Sequence, residues 1–162
     1  GRKLNKNPIE KASLIGATFA KGVGADLYQF SSRTKAIKYN PMDSINSIKN
    51  AVLNCQGDVG HGTMYNTIFN TLDGFYDRVF VISDMQGADN IARNSAYQAY
   101  KNRHGQPYIY AIELVGYGST MFNPDDQFVH QLFGYGSDIY ELAQKVEIDA
   151  DALLNEIQSI EI

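Results

Sequence analysis

The 162 residues make about one domain, and 44% hydrophobic with 20% charged residues is an ordinary balance for a chain that buries a core. A net charge of −4 and a pI near 5.3 argue against a broad nucleic-acid-binding surface built from this chain alone, because neutralising phosphates needs clustered Lys and Arg. No apolar run approaches the roughly 20 residues that span a bilayer, and a lone cysteine, Cys55, excludes an internal disulfide and fits a reducing, cytoplasmic setting.

The basic residues Arg2, Lys3, Lys6 and Lys11 read as a solvated helix entry. Asn7-Pro8-Ile9-Glu10 predicts the helix start itself, with Asn at the cap, Pro at the first helical position and Glu reaching back. Ile9, Ala12, Gly16, Ala17 and Ala20 share one face of small residues, suited to close packing on a sheet, and Lys21-Gly22 is a stop signal. Alternation from Ala25 to Ser31 predicts a strand, and Ile45, Ile48 and Val52 predict a short helix after Asp43. Cys55, in that apolar stretch, is expected to be a buried, inert thiol. Asp58 to Gly62 is a Gly-rich loop, and Met64, Ile68 and Leu72 predict a helix beginning near Thr63. Val79 to Ile82 lacks polar alternation, as a parallel strand covered on both faces should. Ile91 to Tyr100 reads as a helix closed by His104-Gly105, and Tyr108 to Leu114 as the next strand. A loop from Val115 to Asn123 precedes a short strand or buried helical turn at Gln127 to Phe133, and helices are expected over Asp138–Val146 and Asp149–Ile160. The sum is an α/β fold: a doubly wound, mostly parallel sheet with helices on both faces.

Chemistry concentrates where strands end. The run Arg78-Val-Phe-Val-Ile-Ser-Asp84 carries a carboxylate to the carboxyl edge of the sheet, and His61-Gly-Thr63 brings a hydroxyl to the start of a helix. Ligands of open α/β sheets bind beyond that edge, and oxygen donors of this type suit a hard cation such as Mg²⁺. The plainer reading of Asp84 is a turn or cap residue. His61, His104 and His130 lack metal-type spacing and read as loop or surface histidines. Gly116 to Thr120 offers a phosphate-loop reading beside that of a mobile turn, but without a Walker Lys or the Gly-x-Gly-x-x-Gly spacing. Asp125-Asp126 reads as an acid pair or a turn start, and Asp89 as a ligand or a helix cap. No Gly-x-Ser-x-Gly elbow marks a nucleophile.

The Gly-rich loop with Thr63, the strand ending Val-Ile-Ser-Asp84-Met-Gln and the α/β order together resemble a von Willebrand factor A domain. The stretch Asn123-Pro124-Asp125-Asp126, followed by Phe133-Gly134-Tyr135-Gly136-Ser137-Asp138, resembles more narrowly the C-terminal A domain of the Ro ribonucleoprotein (TROVE) family. That resemblance implies a metal-ion-dependent adhesion site built from an Asp-x-Ser-x-Ser loop after the first strand, a Thr from a second loop and an Asp from a third. Thr63 and Asp84 match the second and third elements. Gly1 to Lys6 resemble the stretch that follows Asp-x-Ser-x-Ser, so residues 1–162 are expected to be such a domain without its first strand and first ligand loop, and to hold Mg²⁺ weakly if at all. The implied function is that of a non-enzymatic binding module whose cation accepts a carboxylate from a protein ligand. Noncoding RNA would be held by the rest of a longer parent. The competing expectation is a Rossmann-like, magnesium-dependent nucleotide or phosphate-ester enzyme using Asp84 and the Gly116 to Thr120 loop.

Overall fold

The computed structural model describes residues 8–55, 57–60, 62, 64–83, 95–114, 122–123 and 125–133. In chain order these form α1 (Pro8–Val23), β1 (Leu27–Phe30), β2 (Thr34–Ile37), α2 (Ile45–Asn54), α3 (Asn66–Thr71), β3 (Arg78–Ser83), α4 (Ser95–His104), β4 (Tyr108–Glu113) and β5 (Val129–Phe133). Residues 115–121 of the loop expected over Val115 to Asn123, residues 84–94 and the expected helices at 138–146 and 149–160 lie outside the described residues.

Strands β3, β4 and β5 make a parallel sheet in that order, with Val79 opposite Ile109 and Ile109 opposite Val129. The doubly wound reading holds for this sheet, whose two faces carry separate cores. Val79, Val81, Ile109 and Ala111 point to α3 and α4, where Phe69, Tyr97 and Tyr100 fill the interior. Phe80, Ile82, Tyr110 and Ile112 point to α1, where Ile15 and Phe19 meet them. A strand buried from both sides has no polar face, and this is why β3 reads as an unbroken apolar run.

Helix α1 starts at Pro8, whose absent N–H costs nothing in the first turn, and ends as Gly24 takes φ +69° and donates to Ala20 O at 3.1 Å. Its small-residue face divides between two partners: Ala12 packs with the sheet-side core as expected, and the rest turns to α2. Ala17 and Ala20 pack on Ile48 of α2, while the larger Ile15 and Phe19 meet the sheet; small side chains let two helices approach closely. At Gly16 a Cβ would sit 3.3 Å from Leu27 Cδ2, so β1 also uses the space.

Ser44 caps α2 by accepting a bond from Ser47 N at 3.1 Å. Cys55 follows that helix as its C-cap residue and is half-buried, not in the core as expected.

Strand β2 was not foreseen. It pairs antiparallel with β1, Leu27 opposite Ile37, through a tight bend in which Ser31 N donates to Arg33 O at 2.8 Å. The hairpin is thus the antiparallel exception in an otherwise parallel design. The helix expected near Thr63 begins at Asn66 instead. Met64 donates its N–H to Ser31 O at 2.8 Å, which holds it against the hairpin rather than in a helical turn. The segment at 127–133 resolves into a strand, β5. His130, expected in a loop or on the surface, lies on it, half-buried and stacked 5.4 Å from the Tyr110 ring.

A candidate ligand site at the carboxyl edge of the sheet

Thr63 and Asp84, the two residues the sequence nominates, lie outside the described residues, as do His61, Asp89, Pro124 and the Gly116 to Thr120 loop. Their chain neighbours are described. Tyr65, fully buried, places its hydroxyl 2.9 Å from Ser83 Oγ, the last residue of β3. The Tyr65 side chain, from the residue before α3, therefore reaches the carboxyl end of β3. In the chain, Thr63 lies two residues before Tyr65 and Asp84 one residue after Ser83.

The hairpin tip holds the loop that precedes α3. Ser31 Oγ donates to Gly62 O, Gly62 N donates to Ser32 Oγ at 2.9 Å, and Arg33 N donates to Val59 O at 3.0 Å. Arg33 also reaches Asp58 O at 2.6 Å, and Lys35 pairs with the Asp58 carboxylate at 3.1 Å. Phe30, at the end of β1, packs on Tyr65 with ring centroids 5.4 Å apart. Gly60 has φ +88° and a Cβ there would lie 2.9 Å from Ser32 Cβ, so this close approach requires glycine on two counts.

Next to Ser83 across the sheet is Glu113, 1% exposed at the end of β4. Gln131 Nε2 donates to its Oε2 at 3.3 Å from β5. A buried carboxylate at the carboxyl end of a central strand was missed in the sequence, although one polar residue closing Tyr108-Ile-Tyr-Ala-Ile-Glu113 was the available signal. The carboxyl end of the sheet thus places Ser83 and Glu113 on adjacent strands, both hard oxygen donors, while Ser31 and Ser32 are engaged with the loop at Gly62. Among the described residues no group of three or more His, Cys, Asp and Glu is arranged to hold a metal ion.

Two sequence candidates resolve as structural. Asp126 Oδ1 accepts from Phe128 N at 2.9 Å, and Asp125 N donates to Asn123 Oδ1 at 3.0 Å, so the Asp125-Asp126 pair shapes the turn into β5. His104 ends α4 with its ring 5.2 Å from Tyr100.

Among the described residues, no helix is long and apolar enough to cross a membrane. No protein-family model matches the chain, and no curated protein matches it. The fold does have a counterpart. The crystal structure of the Ro (Rsr) protein of Deinococcus radiodurans superposes with a TM-score of 0.59 over 80% of this chain at 16% identity, and the match takes in 27% of that longer protein. At that identity the likeness is one of fold: an α/β arrangement of Ro type.

Proposed function

We propose that this chain is a von Willebrand factor A-type binding module of a Ro-like protein, working through a divalent cation held at the carboxyl edge of its sheet. Thr63 and Asp84 supply two of the oxygens. A preceding Asp-x-Ser-x-Ser loop supplies the others, which makes the site incomplete within residues 1–162. The observation that supports the reading is the bond between Tyr65 and Ser83, the one two residues after Thr63 and the other one residue before Asp84, at the edge where α/β sheets bind ligands. The module acts by binding. A Mg²⁺ with an open coordination position accepts a carboxylate from a partner protein, and the hairpin-braced loop holds the cation's surroundings in place. The Ro-like fold supports membership in an RNA-associated, cytoplasmic assembly, with RNA carried mainly by the rest of a longer polypeptide, consistent with the net charge of −4 here.

Thermal melting tests this. With an Asp-x-Ser-x-Ser loop joined ahead of Gly1, millimolar Mg²⁺ or Mn²⁺ should raise Tm, and Thr63→Ala or Asp84→Ala should each abolish the rise. Residues 1–162 alone should show little or no shift. A rise that survives both substitutions, or no rise in the extended protein, overturns the reading.

A further inference from the structure

Two phenols and a carboxylate meet at the amino ends of β1 and β3, away from the carboxyl edge. Asp26 precedes β1, Tyr28 lies on β1, and Tyr76 lies two residues before β3. Tyr76 Oη donates to Asp26 Oδ2 at 2.8 Å, and the Tyr28 and Tyr76 hydroxyl oxygens are 2.9 Å apart. A phenol has one hydrogen to give. Because that of Tyr76 goes to Asp26, the bond between the hydroxyls is donated by Tyr28, and the order runs Tyr28 to Tyr76 to Asp26. The two rings stand edge to face, 89° apart with centroids 6.4 Å from each other. The segment carrying Tyr76 is held in place by Tyr100, whose hydroxyl accepts from Tyr76 N at 3.2 Å and donates to Gly74 O at 3.1 Å. Both phenols of the pair are half-buried and Asp26 is exposed, so the pair communicates with solvent.

The partners of Tyr76 differ from those of its neighbours. Tyr39 donates to the Ala25 carbonyl at 2.6 Å, Tyr100 donates to that of Gly74, and Tyr65 shares a bond with Ser83; none of these partners is a base at neutral pH. Tyr97 has the Asp126 charge beside it, but an amide, Gln106, where Tyr76 has a second phenol. Burial first, and then the bonds to Tyr28 and Asp26, make Tyr76 hold its proton more tightly than an ordinary phenol. It therefore reacts as the neutral phenol, and an electron leaves it readily only when the proton leaves too. A carboxylate at 2.8 Å is within the reach a proton acceptor needs.

We propose that Tyr28 and Tyr76 are an oxidative cross-linking site, which a one-electron oxidant converts to dityrosine with Asp26 as the proton acceptor. The oxidant takes an electron from Tyr76 as its proton passes to Asp26 and on to water, leaving a phenoxyl radical. A second equivalent takes an electron from Tyr28, whose proton goes to water. A carbon–carbon bond forms between the carbons ortho to the two hydroxyls, and each ring regains its aromaticity as its ortho hydrogen passes, as a proton, to its oxygen through solvent. In total two electrons go to two equivalents of oxidant, two protons go to solvent, and the chain is lighter by two hydrogens. The new bond joins residues 48 apart in the chain and fastens the β1–β2 hairpin to the segment leading into β3. Closing a loop of that length should raise Tm by roughly 10 °C. The inference stands on these three side chains, and the cation site does not enter it.

The test is photo-oxidation of the dilute protein with tris(bipyridyl)ruthenium(II) and persulfate, followed by digestion and mass spectrometry. The monomeric product should be two hydrogens lighter, and most of the cross-link should join the peptide bearing Tyr28 to the peptide bearing Tyr76. Tyr28→Phe should abolish that product. Asp26→Asn keeps an acceptor oxygen but cannot take the proton, and should slow the cross-link by about tenfold or more. The mapping of the unsubstituted chain decides the site by itself: cross-links spread among others of the eleven tyrosines, or formed chiefly between molecules, overturn it. A rate unchanged in Asp26→Asn overturns the part assigned to the carboxylate.

Discussion

Gly60 shows how much of the ligand edge depends on single atoms. Its φ of +88° is strained for any L side chain, and a Cβ would also press on Ser32 at 2.9 Å, whereas Gly57 has φ +95° with nothing within 4 Å. Gly60→Ala should therefore cost more than Gly57→Ala, which bears the conformational term alone, about 1 kcal/mol. The expected excess is on the order of another 1 kcal/mol from the forced shift of the hairpin tip. Urea denaturation of both variants measures it, and equal costs would show that Ser32 does not press on the loop. Glu113 makes the opposite point about what a residue reveals. It lies on the central strand between β3 and β5, and nothing in the order of residues along β4 states that neighbourhood.

Elements differ in how openly they announce themselves, and the differences follow from what surrounds them. The β3 run is legible because cover on both faces demands apolar residues throughout, and α1 because its cap, first-turn Pro and terminal Gly are local chemistry. By contrast β2 has four residues of which only Ile37 is buried, too few for a period to show. The start of α3 was read three residues early because the bond from Met64 N to Ser31 O joins parts of the chain 33 residues apart. Of the candidate edge, the end of the β3 run at Ser83 was legible. The bracing by Ser31, Ser32 and Tyr65 was not, because it is tertiary. That bracing is measurable as a coupling between elements. Tyr65→Phe and Ser83→Ala should each destabilise the protein, and the double-mutant cycle should give a coupling of about 1 kcal/mol, that of one buried hydrogen bond. Strict additivity would mean that α3 and β3 are not joined through these hydroxyls.

For the molecule as a whole, an interior rich in tyrosine fixes the pH range over which it stays folded. Eleven tyrosines occur in the chain, and four described ones hold their protons more tightly than usual. Burial pushes Tyr97 up to about 12, against a bond from Gln106 that lowers it and with the Asp126 charge adding to the rise. Burial also raises Tyr76, reinforced by its bonds to Tyr28 and Asp26, and it raises Tyr100 and Tyr39. Each phenol stays neutral in the folded chain at a pH where the unfolded chain, with an ordinary value of 10.0, has begun to ionise. Above that value the folded state binds more protons than the unfolded one, so stability falls as pH rises. The contribution is intact below pH 10, declines through the range from 10 to 12 for Tyr97, and continues to fall beyond it for Tyr76. One such group steepens the decline by at most about 1.4 kcal/mol per pH unit. Urea denaturation at a series of pH values should show a plateau from neutral pH to about 10 and then a progressive loss, with Tyr97→Phe giving a shallower slope above 10 and a modest loss at pH 8 from the bond to Gln106. A flat profile between pH 10 and 11.5, or an unchanged slope in Tyr97→Phe, would mean that these hydroxyls reach solvent and that the core around Phe69 and Tyr97 is open.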